Sequence, residues 1–189
     1  MLTLTTTYAE ALSYAAAAHQ GQFRKGTNIP YISHPIAVSA LAIEHGGSET
    51  QATAALLHDV LEDCGAHHGP VISERFGKDV LRIVEGLTDG VPDAAGHKPP
   101  WRQRKEAYLA HLETTQPDTL LVSACDKLHN ALAIADDYAS IGEEVFSRFS
   151  QPRASTVWYY QELSRVIAAR LGTSHALARK LDAAVRRWA

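Results

Sequence analysis

The sequence predicts an all-α fold of about nine or ten helices. Three observations carry that expectation. Apolar residues recur with helical spacing along nearly all of the 189 residues. No segment shows the strict alternation of a half-buried strand. N-cap residues and glycine stops bound the periodic segments. The length suits one compact domain, residues 1–189, with a sizeable core, and no linker divides it.

The elements follow in order. Thr6 or Thr7 can cap a first helix through an Ala-rich run to His19, with Glu10 near its start. Gly21 to Pro30 reads as a loop carrying Arg24 and Lys25. Pro35 suits the opening turn of a second helix to about His45, stopped by Gly46-Gly47. Ser48 can cap a third, from about Glu49 to Asp63, ended by Gly65. Short helices are expected over about Val71 to Phe76 and Lys78 to Leu87. The Pro- and Gly-rich stretch from Gly90 to Pro100 reads as a loop. Trp101 to Leu112 is charged and amphipathic. Asp118 to Tyr138 is a long helix burying Leu121, Ala124, Cys125, Leu128, Leu132 and Ala135. A short helix near Glu143 to Phe149 precedes two more, about Arg153 to Arg170 and Ser174 to Trp188.

Bulk properties exclude several classes. With 46% hydrophobic and 21% charged residues, the chain is neither disordered nor fibrous. A net charge of −3 argues against backbone-driven binding to nucleic acid, though a few local cations can still hold a small anion. Cys64 and Cys125 form no CxxC pair, so no disulfide framework is expected and a reducing cytoplasm is the expected setting. Both cysteines read as small hydrophobes, with a thiol near the site as the minor reading for Cys64. No run reaches the ~18 apolar residues of a membrane span, and no signal peptide is expected.

The chemistry concentrates in His58-Asp59-Val60-Leu61-Glu62-Asp63, directly after the apolar run Ala54 to Leu57. Carboxylates on a buried helix are costly to desolvate unless compensated, and a divalent cation is the usual compensation. Residues four apart on a helix lie about 40° apart, so His58 stacks with Glu62 and Asp59 with Asp63, all within an arc of about 140°. Asp126 and Asn130 repeat the spacing, and His34 can add a third stretch. A His/Asp set of this kind suits Mn²⁺, Fe²⁺, Zn²⁺ or Mg²⁺ and leaves room for water and phosphate. Glu62 or Asp63 could then position or deprotonate the attacking water, and Arg24 and Lys25 could pair with phosphate. An isolated His-Asp pair more often marks a capped or surface-paired histidine. The pairing of Glu62 and Asp63 and the preceding apolar run favour the metal.

The blocks Ala18-His19-Gln20-Gly21-Gln22-Phe23-Arg24-Lys25-Gly26-Thr27, Ile29-Pro30-Tyr31-Ile32-Ser33-His34-Pro35, Ala54 to Asp63, Phe76-Gly77-Lys78-Asp79-Val80 and Asp126-Lys127-Leu128-His129-Asn130 occur in this order over about residues 15 to 135. Together they resemble the hydrolase domain of RelA/SpoT homologues, within the HD phosphohydrolase superfamily, in its stand-alone small form. The resemblance implies a helical HD-domain fold, a Mn²⁺ cofactor, and release of pyrophosphate from the 3′ position of guanosine tetra- or pentaphosphate. It implies His34, His58, Asp59 and Asp126 as metal ligands, Glu62 and Asp63 as the catalytic pair, and Arg24, Lys25 and Asn130 as nucleotide contacts. Lys98, Arg104 and Lys105 fall in a segment that matches less closely and are candidate phosphate contacts. The helices over 150–189 carry no motif and are expected to serve packing or self-association, which makes a homo-oligomer one expectation.

Other residues read more plainly. His129 could reach the face of Asp126, and spacing alone does not reject it as a ligand; the resemblance implies that it is not one. His67-His68 reads as a surface pair. His19 ends its helix, where it complements the dipole or, less simply, supports Arg24. His45, His97, His111 and His175 read as surface or interface residues. Trp158-Tyr159-Tyr160 reads as core or dimer packing rather than a base-stacking platform, and Arg186-Arg187 as a basic helix end. Two functions compete with alarmone hydrolysis: action on an adenine analogue or the 2′-phosphate of NADPH at the same site, and a contact-only partner of a nucleotide synthetase.

Overall fold

The computed structural model describes residues 2–89 and 98–189. Among them are nine α-helices: α1 (Thr6–Ala18), α2 (Ser33–Glu44), α3 (Glu49–Leu57), α4 (His68–Phe76), α5 (Lys78–Leu87), α6 (Trp101–Thr114), α7 (Pro117–Ile141), α8 (Arg153–Leu171) and α9 (Ala176–Val185). A π-helical turn spans Val60–Cys64 and a 3₁₀ segment spans Gly142–Arg148. No strand occurs among the described residues apart from one antiparallel bridge, Phe23 to Pro30. The all-α expectation holds.

Helix α3 sits at the centre, packed on α1, α2, α5 and α7. Its sequence explains the position. Every residue from Ala52 to Leu57 is buried, so the helix has no solvated face. Ser48 starts it with a capping box: its hydroxyl accepts from the Gln51 amide at 3.3 Å, and Gln51 Oε1 accepts from the Ser48 amide at 2.8 Å. The turn from α2 is tight. A Cβ on Gly47 would stand 2.7 Å from the Ala42 carbonyl oxygen, so the backbones can approach this closely only with glycine there.

Helix α7 is the second organiser. It packs on α2, α3, α5, α8 and α9 and buries Leu120, Cys125, Leu128, Ala131 and Ala135 along one face. Leu121 and Leu132, expected to be buried with them, are only half-buried.

Several expected boundaries move. Thr5, not Thr6 or Thr7, caps α1, its hydroxyl accepting from the Thr7 amide. Helix α4 begins at His68, three residues before Val71. Helix α9 begins at Ala176, capped by His175 Nδ1. The expected third helix does not run to Asp63: the α-helix ends at Leu57 and the chain turns through His58 and Asp59 before the π turn. On a regular helix those two neighbours would diverge by about 100°. Here both keep αR backbone, and His58 Nε2 and Asp59 Oδ2 stand 3.0 Å apart. The expected loop from Gly90 lies largely outside the described residues, as does His97. No helix among the described residues is long and apolar enough to cross a membrane.

Candidate metal centre

Four side chains from three separate stretches converge. His34 stands in the first turn of α2, His58 and Asp59 at the break after α3, and Asp126 halfway along α7. His34 Nε2 lies 3.1 Å from Asp126 Oδ1 and 3.5 Å from Asp59 Oδ2. His58 Nε2 lies 3.0 Å from Asp59 Oδ2 and 3.6 Å from Asp126 Oδ1. His34, His58 and Asp126 offer ligand atoms all within 4.8 Å of one another. The Asp59 side chain is 20% exposed while His34 and His58 are almost wholly buried, so the cluster opens to solvent on the Asp59 side.

The donor atoms fit a divalent cation. His58 Nδ1 donates to the Ala55 carbonyl at 2.8 Å, which fixes the ring and turns Nε2 inward. That Nε2 is buried and makes no hydrogen bond, even with Asp59 Oδ2 so close. The atoms point to a shared space rather than at each other. Two imidazole nitrogens and two carboxylates form a mixed nitrogen and hard-oxygen set.

The electrostatics agree. Burial would drive the Asp59 and Asp126 carboxyls toward neutrality. The His58 charge opposes this at Asp59 and the Lys127 charge at Asp126, so both stay below the ordinary carboxylate range. Burial likewise depresses His58, but Asp59 and Asp126 outweigh it and hold the imidazole well above 6.5. His34, with burial dominant, is lowered.

An outer set of hydrogen bonds fixes these groups. Tyr31 donates its hydroxyl to Asp59 Oδ2 at 2.6 Å. Lys127 donates to Asp126 Oδ2 at 2.7 Å, and Asn130 Nδ2 to Asp126 Oδ1 at 2.7 Å. Arg24 donates to Asn130 Oδ1 at 2.9 Å. His34 Nδ1 meets His129 Nδ1 at 2.7 Å. His129 therefore meets His34 through Nδ1, while His34 Nε2 is the nitrogen near Asp126.

Beside the cluster lies a cavity of about 330 Å³. Asp59 and Asp126 line it together with Lys25, Arg104, Lys105 and Lys127, and Trp101, Tyr159 and Tyr160 supply aromatic wall. Glu62 lines it too, accepting from Lys98 Nζ at 2.9 Å and from the Asp89 amide at 3.4 Å. Asp63 is exposed and is not among the residues lining the cavity, yet desolvation of its carboxyl, then Asp59 and Glu62, push its pKa up to about 6.

The structure thus brings His34, His58, Asp59 and Asp126 together and sets Glu62 beside them in the cavity. Lys25 also reaches the cavity, whereas Arg24 and Asn130 spend their polar ends on each other and on Asp126. Tyr31, Lys127 and Asp89 were not singled out from the sequence. Tyr31 lies in the turn just before α2 and Asp89 just after α5, and neither carries a periodic signal that would have marked it.

The remaining expectations divide. His19 is the C-cap of α1, as expected, and it is buried, its ring 5.0 Å from Tyr31 and its Nδ1 2.7 Å from Gln22 Oε1. His68 bonds the Tyr14 hydroxyl with Nδ1 at 2.5 Å, and only its neighbour His67 is exposed. Burial pushes the Cys64 thiol up, against a reactive role. Tyr159 and Tyr160 are buried, as the packing reading expects, but also face the cavity.

Comparison with known proteins adds context. A solved metazoan orthologue of SpoT, described as hydrolysing ppGpp and acting in starvation responses, superposes with a TM-score of 0.79 at 26% identity, over 99% of this chain and 98% of that one. A guanosine-3′,5′-bis(diphosphate) 3′-pyrophosphohydrolase of Haemophilus influenzae is 33% identical over 122 residues, 61% of this chain and 17% of that protein. The bifunctional (p)ppGpp synthase/hydrolase SpoT of Escherichia coli is 32% identical over 127 residues, 64% of this chain and 17% of that protein. The match spans less than a fifth of the length of these two relatives. A family model described as HD domain matches residues 11–153, the stretch that holds both histidines and both aspartates of the cluster, and the chain belongs to the HD domain family.

Proposed function

We propose that the chain is a metal-dependent phosphohydrolase that removes the 3′-diphosphate of guanosine 3′,5′-bis(diphosphate)-type alarmones, giving pyrophosphate and GDP or GTP. The observation that carries the reading is the convergence of His34, His58, Asp59 and Asp126, with a buried, unpartnered His58 Nε2, at the edge of a cavity rich in cations. The full-length likeness to a protein described as hydrolysing ppGpp supports the substrate class.

In this reading the two histidines and two aspartates hold the cation, with Mn²⁺ the expected ion. A divalent cation there polarises a phosphoryl oxygen and lowers the pKa of nearby water. The chain's own groups do the rest. Glu62, steadied by Lys98, orients the attacking water. Asp63, its carboxyl pushed up to about 6 by desolvation and by Asp59 and Glu62, suits a group that takes the water's proton near neutral pH. Water oxygen bonds to the phosphorus attached to O3′, the P–O3′ bond breaks, and a proton ends on O3′. Lys25 and Lys127, in the cavity wall, offset the charge of the departing pyrophosphate. Asn130 and Arg24 hold Asp126 in place from outside.

The test is chromatographic analysis of products from guanosine 3′,5′-bis(diphosphate) with Mn²⁺ and with chelator. Pyrophosphate as first product, lost in chelator, is expected. Orthophosphate as first product overturns the reading.

A further inference from the structure

The cavity is lined by basic groups as well as by metal-binding ones. Arg104 and Lys105, on α6, line the same cavity as Asp59 and Asp126. Both cations are engaged by one acid, Asp89, which follows α5. Lys105 Nζ donates to Asp89 Oδ2, and Arg104 Nη1 donates to the same oxygen at 3.1 Å and to the Asp89 carbonyl at 3.3 Å.

Two features mark this arrangement as incomplete. Two positive side chains share one carboxylate, which leaves one net positive charge in a largely desolvated place. The other carboxylate oxygen, Asp89 Oδ1, is buried with no hydrogen-bond partner among the described residues. A carboxylate matched to a guanidinium uses both oxygens. A phosphate offers more charge and a third oxygen to the same two donors.

We propose that Asp89 is a resident anion in a phosphate subsite. When the 3′-diphosphate of a nucleotide lies against the metal-binding residues, its 5′-phosphates displace the Asp89 carboxylate from Arg104 and Lys105. The inference rests on the phosphohydrolase reading and adds a second recognition point in the same cavity. It has a consequence of definite sign. Asp89 competes with substrate, so Asp89→Asn, which keeps the shape and removes the charge, tightens binding. A carboxylate that served only to orient the two cations would have the opposite effect on removal.

Two measurements test this on the full chain. In the first, pyrophosphate release in Mn²⁺ is followed for guanosine 3′,5′-bis(diphosphate) and for guanosine 3′-diphosphate with a free 5′-hydroxyl. Lys105→Gln is expected to raise KM for the first substrate about 10-fold, the worth of one charge-assisted hydrogen bond, and to spare the second. Asp89→Asn is expected to lower KM for the first substrate only. Equal changes on both substrates, or a raised KM in Asp89→Asn, overturn the inference.

In the second, the cation-free protein is titrated calorimetrically with inorganic pyrophosphate. Asp89→Asn should bind it more tightly than the parent and Lys105→Gln more weakly; indistinguishable affinities overturn the inference. If this pattern is found while neither nucleotide is hydrolysed, the phosphohydrolase reading fails and the anion site stands.

Discussion

The Nδ1 atoms of His34 and His129 lie 2.7 Å apart, so one ring must donate and the other accept. Burial, with the nearby charges of His34 and Arg24, pushes His129 down to about 4, so it is neutral at ordinary pH. A neutral His129 that accepts on Nδ1 leaves His34 protonated there, with the lone pair on Nε2 facing Asp126.

From this pair comes the first prediction. His129→Ala removes the group that fixes the His34 tautomer and leaves His34 itself intact. Loss of an outer hydrogen bond of this kind typically costs 10–100-fold in metal affinity. Mn²⁺ titration of the variant, followed by electron paramagnetic resonance, is expected to show weakening on the order of tenfold or more at unchanged helix content. Unchanged affinity would mean that the contact does not orient the ligand.

Cation binding should be linked to protons. In the cation-free protein the carboxylates of Asp59 and Asp126 raise His58 well above 6.5, so at pH 7 its imidazole is charged. A ligand nitrogen must lose that proton, so binding releases about one proton at pH 7. Calorimetry in two buffers of different ionisation enthalpy reads the number directly, and zero protons released would refute the assignment. The sign for stability also follows. Because His58 is raised, its contribution is full below 6.5 and fades as pH rises through the folded value; because Asp59 and Asp126 are lowered, theirs is present above 3.8 and fades in acid. The chelated protein should therefore lose thermal stability as pH climbs past neutrality, and Mn²⁺ should restore it most there.

Glu62 and Asp63 should separate from the ligands. Neither is part of the inner set, so Glu62→Gln and Asp63→Asn are expected to retain metal while the chemical step slows by about 10²-fold or more. Elemental analysis beside single-turnover rates checks this. Asp63 is raised to about 6 without a cation, and an adjacent positive charge pulls it down, so the acid limb of the rate profile should fall at or below about pH 6. Asp63→Asn should abolish that limb; a variant that keeps it shows that another group takes the proton.

Which parts of this molecule could be read from its residues is instructive at His58. The apolar run to Leu57 announced a buried helix, and the acids beyond it announced a need for compensation. What did not show was the break. Local spacing placed His58, Asp59, Glu62 and Asp63 on one regular helix, whereas the α-helix ends at Leu57 and a π turn follows over Val60–Cys64. Helical propensity, a weak guide beside tertiary context, does not mark such a change. The same limit hid Asp89: its importance lies in two cations that α6 delivers from 15 and 16 residues away, and no local pattern encodes that meeting. Tyr160 differs again, because its burial was legible but its place in a cavity wall depends on how α8 docks.

Trp188 ties the last helix to the site at a distance, and the final prediction turns on it. Its side chain is almost fully buried, its indole nitrogen donates to the Ala131 carbonyl on α7 at 3.2 Å, and its ring meets Tyr160 at 5.2 Å and Phe146 at 6.1 Å. Arg153 adds a hydrogen bond to its carbonyl at 2.9 Å. Replacing so large a buried ring by alanine costs roughly 3–5 kcal/mol, more than most surface changes together. Ala131 lies one residue beyond Asn130 and just over a turn beyond Asp126, so the loss falls on the helix that carries a ligand of the cluster. Trp188→Ala should therefore lower the denaturant midpoint and also weaken Mn²⁺ binding, while Arg186→Ala, on an exposed side chain nearby, should do neither. A Trp188 variant that loses stability but binds Mn²⁺ as tightly as the parent would show that α7 holds Asp126 without help from the C-terminal helix.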